Sequence, residues 1–560
     1  MAYRFRERNY IIDPQQLGFD NSDEETANDS RHFDPDYKRP RRQRRPRLKP
    51  VRRAASLTGE TGLTEVGEGS SSSVNANSVQ RRRPGRPPKR GVVVEQNLER
   101  NVRRRRRSSF SRRPVNREPA NKMTIFSWMI SRGVVELNQK VWFFDYRNEA
   151  RLLEGRIKHG GILCNCCNEE VTAWEFEAHA FRGSNGFRLL QPYYNIFLPK
   201  TQNHLLHCML LAWLKPEEVA RQEPYSFRPL TGATDRNDDA CIICADGGDL
   251  ICCERCPSTF HFPCMGMKAI PKGDWLCPFC VCKYCENGGG ELLDCTHCEK
   301  KYHWECFMVR KELDLNCKDC SSFCGSDCRE VYGELQAMVG VSKDVGNGIS
   351  WTLLQKRDVP DYICLNEGLH ITEINSKIAV AWSLLNEIFV TNMDRHTRIN
   401  ILESVVYNRK SNLTRLNFGG FYVAVLEKKG QIISAATIRV HGRSLAEMPF
   451  IGTQEGYRKQ GMSCKLLDRI ESTLCSLNIP NLLIPSVPEL VDMWTHKHFF
   501  APVEDDFMKE LRNVNVLAFP STVRLRKKLH PKEASVNQEG NASVPALPDL
   551  NLDPSGEMDE

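Results

Sequence analysis

A multidomain chain, with a disordered basic arm, a small α+β unit, a cysteine-rich middle and an α/β domain beyond it, is what three features of the sequence predict. The first is length: 560 residues exceed what one hydrophobic core organises and allow roughly three or four domains of ~100–200 residues. The second is cysteine distribution, since 17 of the 24 cysteines fall between Cys241 and Cys328, too densely for an apolar core. The third is charge. Residues 38–53 carry 10 Lys/Arg and no acid, residues 81–117 carry 15 against two Glu, and yet the whole chain nets only +8, so the remainder is acidic.

These features also exclude classes of function. No apolar run approaches the ~18 residues of a bilayer span, and the longest candidate, Leu205–Leu214, contains His207. Met1–Arg6 is charged and lacks the apolar region of a secretion signal, so the cysteines are expected in a reducing compartment, as metal ligands and not disulfides. A basic arm on an acidic body suggests a protein of the nucleus that touches polyanions, with no membrane partner.

Residues 1–121 are rich in Arg, Pro, Ser and acids and poor in large apolar side chains, a composition expected to stay disordered. Within them, Arg83-Pro84-Gly85-Arg86-Pro87-Pro88-Lys89-Arg90 resembles an AT-hook, whose Gly-Arg-Pro core lies in a narrow minor groove; Pro84 departs from the usual Arg. The resemblance implies DNA contact through Arg83, Gly85, Arg86 and Pro87. The same residues equally suit a nuclear import signal, as does the run Arg103–Arg107.

Aromatic and aliphatic residues return at Thr124, and Trp128, Val134, Val135, Val141–Phe144 and Ile157 mark short strands of a folded unit over 122–216. Its segments Gly161–Cys167 and Trp174–His179 resemble the Tify-domain-binding module of plant nuclear regulators, which implies docking of a Tify-type or other nuclear protein. Cys164 and Cys167 form C-x2-C and His179 offers a third metal ligand; the alternative is a set of buried structural thiols.

Two cysteine series follow. Over 238–281 the ligand order is Cys241, Cys244, Cys253, Cys256, His261, Cys264, Cys277, Cys280, which offers two tetrahedral N/S sites. With Phe260 before the His and Trp275 two residues before Cys277, it resembles a PHD finger. That likeness implies one zinc on Cys241, Cys244, His261 and Cys264 and another on Cys253, Cys256, Cys277 and Cys280, with Cys252 a spare thiol. Over 282–330 a PHD-like second copy reads Cys282, Cys285, Cys295, Cys298, His303, Cys306, Cys317, Cys320, with Leu315 in the Trp position and with Cys324 and Cys328 leaving a choice of register for the last pair. Four zinc ions are expected, or five if Cys164, Cys167 and His179 hold one. Between Asp239 and Cys252 there is no aromatic residue to build a cage for trimethyl-lysine. Asp238, Asp239, Asp246 and Asp249 flank Gly247 and Gly248 instead, resembling fingers that take up the unmodified histone H3 tail as an added strand; the alternative is a solvated acidic turn.

From 348 to 530 helix and strand patterns alternate: a helix over 374–390, strands at 420–425, 432–440 and 447–453, a helix over 464–477, a strand at 481–484, a helix over 489–499 and strands at 514–519 and 522–525. The turn between the 447–453 strand and the next helix reads Gly456-Tyr457-Arg458-Lys459-Gln460-Gly461-Met462-Ser463, a basic, glycine-containing anion cradle. Its R-x-x-G-x-S resembles the R-x-x-G-x-G/A signature of the GNAT acetyltransferase superfamily, Ser463 being the departure. The resemblance implies acetyl-CoA held by Phe450, Ile451, Arg458, Lys459, Gln460, Gly461, Met462 and Ser463. It also points to Glu447, 14 residues before Gly461, as general base, with a pKa raised in a partly apolar cleft; the alternative is an exposed strand-edge charge. No Tyr stands where that family places its general acid, leaving His496 and His498 as substitutes; Met462 and Trp494 also read as packing.

In the polar tail over 531–560, Leu547–Pro554 contains D-L-N-x-x-P and resembles the EAR motif that recruits Topless-type corepressors. The order of modules resembles the plant Increased DNA Methylation group of PHD-finger histone acetyltransferases, which implies a nuclear, chromatin-binding lysine acetyltransferase of the H3 tail. The other class left open is a non-catalytic chromatin reader and corepressor scaffold with a degenerate GNAT fold.

Overall fold

The computed structural model describes residues 122–146, 149–182, 192–226, 236–309, 322–359, 365–389 and 393–529. The arm over 1–121 with its AT-hook-like residues, the EAR-like tail, Cys317 and Cys320 lie outside them. The described residues share one compact unit, and among them no helix is long and apolar enough to cross a membrane.

The first module begins with α1 (Ile125–Ser131), whose N-terminus is capped by the Thr124 hydroxyl accepting from the Ser127 N–H. Trp128 therefore lies on a helix and Val134–Val135 in the turn after it, not on strands. Strands β1 (Lys140–Asp145), β2 (Ala150–Ile157), β3 (Ile162–Cys164) and β4 (Glu170–Val171) follow as a meander. In β1 burial alternates, so Val141 and Phe143 face the core. Next, α2 (Ala173–Ala180) opens on a Thr172/Glu175 capping box. The module closes with α3 (Pro192–Asn195), β5 (Ile196–Leu198), β6 (Asn203–His204), α4 (Leu205–Trp213) and α5 (Pro216–Gln222). The sheet order is β4-β3-β2-β1-β5-β6.

The fingers hold little regular structure: β7 (Ile251–Cys252) with β8 (Thr259–Phe260), then β9 (Leu293–Asp294) with β10 (Lys301–Tyr302), and α6 (Trp304–Val309). Phe260 meets Trp275 edge-on at 5.5 Å in the first. Tyr302, Phe307 and Phe323 fill the second.

The α/β domain starts earlier than the pattern of apolar residues suggests, with α7 (Ser326–Met338), β11 (Ser342–Gly346) and β12 (Ile349–Leu354) before α8 (Leu365–Ile388) and α9 (Ile401–Val406). It continues as β13 (Phe421–Lys428), β14 (Gln431–His441), β15 (Leu445–Thr453), α10 (Met462–Ser476), β16 (Asn481–Ser486), α11 (Val491–His498), β17 (Ala501–Pro502), α12 (Asp505–Leu511) and β18 (Val523–Lys528). Eight strands run in the order β11-β12-β13-β14-β15-β16-β18-β17, antiparallel except for β15 beside β16. This order is the one expected from the resemblance to the GNAT signature. Residues 514–519 are a strap and not the expected strand. Their apolar side chains are buried by packing across the sheet, Val516 and Leu517 among them, so alternating hydrophobicity is satisfied without strand pairing.

Polar contacts join the modules. Tyr407 Oη donates to Glu218 at 2.6 Å, and Glu218, fully buried, also pairs with Arg132 and Arg221. Arg415 bridges Asp238 of the first finger, at 2.7 and 2.9 Å, and Asp394.

Candidate metal centres and acyl-cofactor cleft

Zinc bound by four thiolates or imidazoles places its ligand atoms about 3.8 Å apart, given Zn–S bonds near 2.3 Å. In the first finger two groups, Cys241, Cys244, His261 and Cys264, and Cys253, Cys256, Cys277 and Cys280, each hold their ligand atoms within 4.8 Å of one another. The interleaving matches the cross-brace. In the second finger Cys282, Cys285, His303 and Cys306 form one such group, and Cys295 and Cys298 gather with Cys324 and Cys328, the other of the two registers the spacing left open, Cys317 and Cys320 lying outside the described residues. Cys328 sits in the first turn of α7 and Cys324 just before its Gly325 cap, and their sulfurs lie 3.6 Å apart. The first module brings together Cys164, Cys167 and His179, and with them Cys166, a ligand the C-x2-C reading passed over.

The acidic residues of the first finger separate into two kinds. Asp238 is buried against Arg415, so it is a structural ion and not a free acceptor for a peptide; this corrects its assignment to a histone site. Asp239 and Asp249 are exposed, while Asp246 lies 3.6 Å from Arg395. Among the described residues strand β7 pairs with β8 alone.

The α/β sheet opens where its two parallel strands part. Strands β15 and β16 are in register only at Ala446↔Leu482 and Glu447↔Leu483; beyond, β15 follows β14 to Thr453 while β16 follows β18 to Ser486. A wedge results between diverging backbones. At its wide end the chain turns through Glu455–Tyr457, Lys459 (φ 59°) and Gly461 (φ 72°) into α10. A Cβ on Gly461 would meet nothing within 4 Å, so glycine is called for by its left-handed backbone and not by lack of room. The first turn of an α-helix has N–H groups without intrahelical acceptors and the positive end of its dipole. Arg458 donates to the Thr453 carbonyl at 3.4 Å, Gln460 to that of Gly456 at 3.0 Å, and Lys459 is exposed. Met462, Ser463, Phe450 and Ile451 are buried. Phe450 packs between Phe389 and Phe519, at 5.2 and 5.7 Å, so its side chain is core and leaves only its backbone for a ligand.

Glu447 differs from expectation. It is buried, its Oε1 accepting from Arg439 Nε at 2.7 Å and facing His441 Nε2 at 2.8 Å, and its Oε2 accepting the Leu517 N–H at 2.8 Å. Burial pushes the carboxyl up, but Arg439, His441 and the amide outweigh it and hold the pKa down at about 2. This corrects both the raised pKa and the exposed strand edge. Arg439 itself also reaches the Asn417 and Asn515 carbonyls and lies 4.4 Å over the Phe421 ring. Glu299 of the second finger accepts from Asn417 and Asn515, at 3.1 and 3.5 Å. The signal for this network was present in the sequence, because Arg439 and His441 are the only ionisable residues of a strand that is otherwise apolar or neutral. Of the two substitute acids, His496 is exposed and bonded to the Asp492 carbonyl at 2.9 Å; His498 is lodged against Trp494 at 5.2 Å, and burial lowers its pKa.

Comparisons with known proteins agree with this organisation. Residues 389–528 match the family model of the Increased DNA methylation 1 C-terminal domain, residues 155–212 that of the Tify domain binding domain, and residues 241–280 that of the PHD-finger. The chain is 35% identical over 439 residues to Increased DNA methylation 1 of Arabidopsis thaliana, covering 74% of this chain and 35% of that protein, so it spans about a third of that relative's length. A 48-residue stretch is 50% identical to the E3 ubiquitin-protein ligase TRIM33 of Homo sapiens, covering 8% of this chain and 4% of that protein. The crystal structure of Tetrahymena GCN5 overlaps 28% of this chain and 89% of its own at 15% identity, with a TM-score of 0.21. That overlap is too slight to carry the fold, which rests on the strand order and the wedge.

Proposed function

From the premise that this chain is a homologue of Increased DNA methylation 1, with PHD-type fingers joined to a GNAT-type sheet, we propose that it is a nuclear, chromatin-binding, acetyl-CoA-dependent lysine N-acetyltransferase. The observation that carries the reading is the wedge between β15 and β16 ending on the Gly461-capped start of α10. Diverging strands leave backbone groups to line a pantetheine-like arm, and the helix start with Arg458 and Lys459 suits a diphosphate. Acetyl-CoA would supply an activated thioester there; attack by a lysine amine would form the amide C–N bond as the C–S bond breaks, and coenzyme A would leave as its thiol with the proton the amine nitrogen gives up.

Glu447 is a positioning residue in this scheme. With both oxygens engaged, it orients Arg439 and holds the 515–517 strap beside the wedge, and the proton of the incoming ammonium passes to water at the mouth. The substrate is an H3 tail, delivered as a third strand along β7 with Asp239 and Asp249 facing an unmethylated lysine. DNA contact through the basic arm, corepressor contact through 547–554 and Tify-type docking through 122–216 complete the proposal. A second reading, a non-catalytic reader and scaffold, is favoured by the locked state of Glu447.

One experiment separates them. The full chain is incubated with labelled acetyl-CoA and H3 peptides, and Gly461→Asp is compared with the native protein. The enzyme reading expects labelled peptide and a saturable cofactor site, both lost in G461D, which adds a negative charge to the cradle. A native protein that binds no acetyl-CoA would leave the scaffold.

A further inference from the structure

Among the described residues four C-x2-C turns share one backbone hydrogen-bond pattern, and three of them belong to the fingers. At Cys241–Cys244, Cys282–Cys285 and Cys295–Cys298, the first cysteine donates its N–H to the carbonyl five residues on, at 2.9, 3.0 and 3.0 Å. Its own carbonyl accepts from the residue four on, at 2.8, 2.8 and 3.0 Å. That residue, Ala245, Glu286 or Glu299, is non-glycine yet left-handed, with φ of 60°, 57° and 59°. The turn brings its cysteine sulfurs within 4.8 Å of the other ligand atoms of their group.

The fourth turn is Cys164–Cys167, between β3 and β4. Cys164 donates to the Glu169 carbonyl at 2.9 Å, Asn168 donates to the Cys164 carbonyl at 2.8 Å, and Asn168 has φ 56°. Its histidine is placed likewise. In the fingers His261 Nδ1 lies 3.2 and 3.8 Å from the Cys244 and Cys264 sulfurs, and His303 Nδ1 3.4 and 3.7 Å from those of Cys285 and Cys306. Here His179 Nδ1, from the last turn of α2, lies 3.4 and 3.6 Å from the sulfurs of Cys166 and Cys167. Cys164 Sγ is 3.2 Å from Cys166 Sγ, and all four ligand atoms fall within 4.8 Å of one another.

We propose that Cys164, Cys166, Cys167 and His179 bind a fifth zinc ion, in a Cys3His site outside the fingers. Packing alone does not account for the cluster, because Cys166 is exposed and its neighbours Cys167 and His179 are only partly covered; a thiol kept for its apolar bulk would be inside. The residue types suit zinc, with three soft thiolates and one imidazole in a closed tetrahedral set. The metal clips the end of α2 to the β3–β4 hairpin at the sheet edge, and so fixes the outer face of the docking module.

The test uses the full chain. Elemental analysis after exhaustive dialysis is expected to find five zinc ions per chain, four in Cys166→Ser and four in Cys241→Ser. Because C166S alters an exposed side chain, its circular dichroism should stay native; a variant that misfolds is replaced by a measurement on the native protein, the alkylation of Cys166. As a zinc ligand, Cys166 resists iodoacetamide until a chelator is added, whereas a free exposed thiol reacts at once. Immediate labelling of Cys166, or a zinc count that falls with C241S but not with C166S, would overturn the proposal.

Discussion

The two fingers share ligand order and differ in how each closes its second metal group. The first closes on itself, with Cys277 and Cys280 in its own final turn. The second reaches past that position to Cys324 and Cys328, so that its metal group includes the start of α7. From α7 the chain passes directly into β11 of the eight-stranded sheet. Close by, a Cβ on Gly442, in the β14–β15 hairpin, would lie 3.9 Å from the Cys328 sulfur, and Arg443 pairs with Asp327 and Glu330 at 2.9 and 2.7 Å. The first finger is instead attached by side chains: Arg415 to Asp238, Arg524 to the Ile243 carbonyl, and Arg512 to that of Cys264 at 3.1 Å. One finger is thus moored to the domain by ion pairs and hydrogen bonds, and the other adds to such bonds, made by Glu299, a ligand group whose last two thiols stand at the start of the domain.

The largest effect expected from that difference follows loss of a ligand. Structural zinc supplies on the order of 10 kcal/mol in small fingers. Cys328→Ser should therefore release one zinc and abolish the cooperative thermal transition of the α/β domain, whereas Cys280→Ser should release one zinc and leave that transition nearly in place. Equal damage from the two, read by metal content and tryptophan fluorescence, would erase the distinction.

Next in size is the mooring. Arg415→Met leaves Asp238 and Asp394 facing each other in the interior without their cation, a change that costs roughly 3–5 kcal/mol when a buried pair is broken. The urea midpoint should drop accordingly, and adding Asp238→Asn with Asp394→Asn should recover part of it. No recovery would mean that Arg415 acts by packing.

Glu447→Gln should cost about 3 kcal/mol at neutral pH, the difference between a carboxyl near its ordinary value unfolded and about 2 folded. The folded pKa is depressed, so this contribution is present above pH ~4.5 and is lost as pH falls toward ~2. The gap between native and variant should therefore narrow on acidification, because the Gln variant has no such charge. A gap independent of pH would point to lost shape and not to the lost ion. Smallest of all, Arg395→Ala removes an exposed partner of Asp246 and should change stability by less than ~0.5 kcal/mol.

Much of this protein was legible in one dimension because metal ligation and helix-start turns are local. C-x2-C spacing, the His three residues before its Cys, and a basic turn ending on Gly461 each draw their chemistry from neighbours a few residues apart, so the residue string alone named the fingers, the cradle and the order of modules. What it left open depended on partners far along the chain. The last pair of the second finger could be read in either register until α7 decided for Cys324 and Cys328. Cys166 counted for nothing until α2 folded back to bring His179 beside it. Asp238 and Glu447 each looked like a carboxylate free to work, and each proved to be an ion held by an arginine, Arg415 lying 177 residues away from the first and Arg439 on the strand beside the second. Sequence spacing states which groups can share an atom-sized site; whether a carboxylate is a base or an anchor depends on what is buried against it, and only the tertiary structure supplies that.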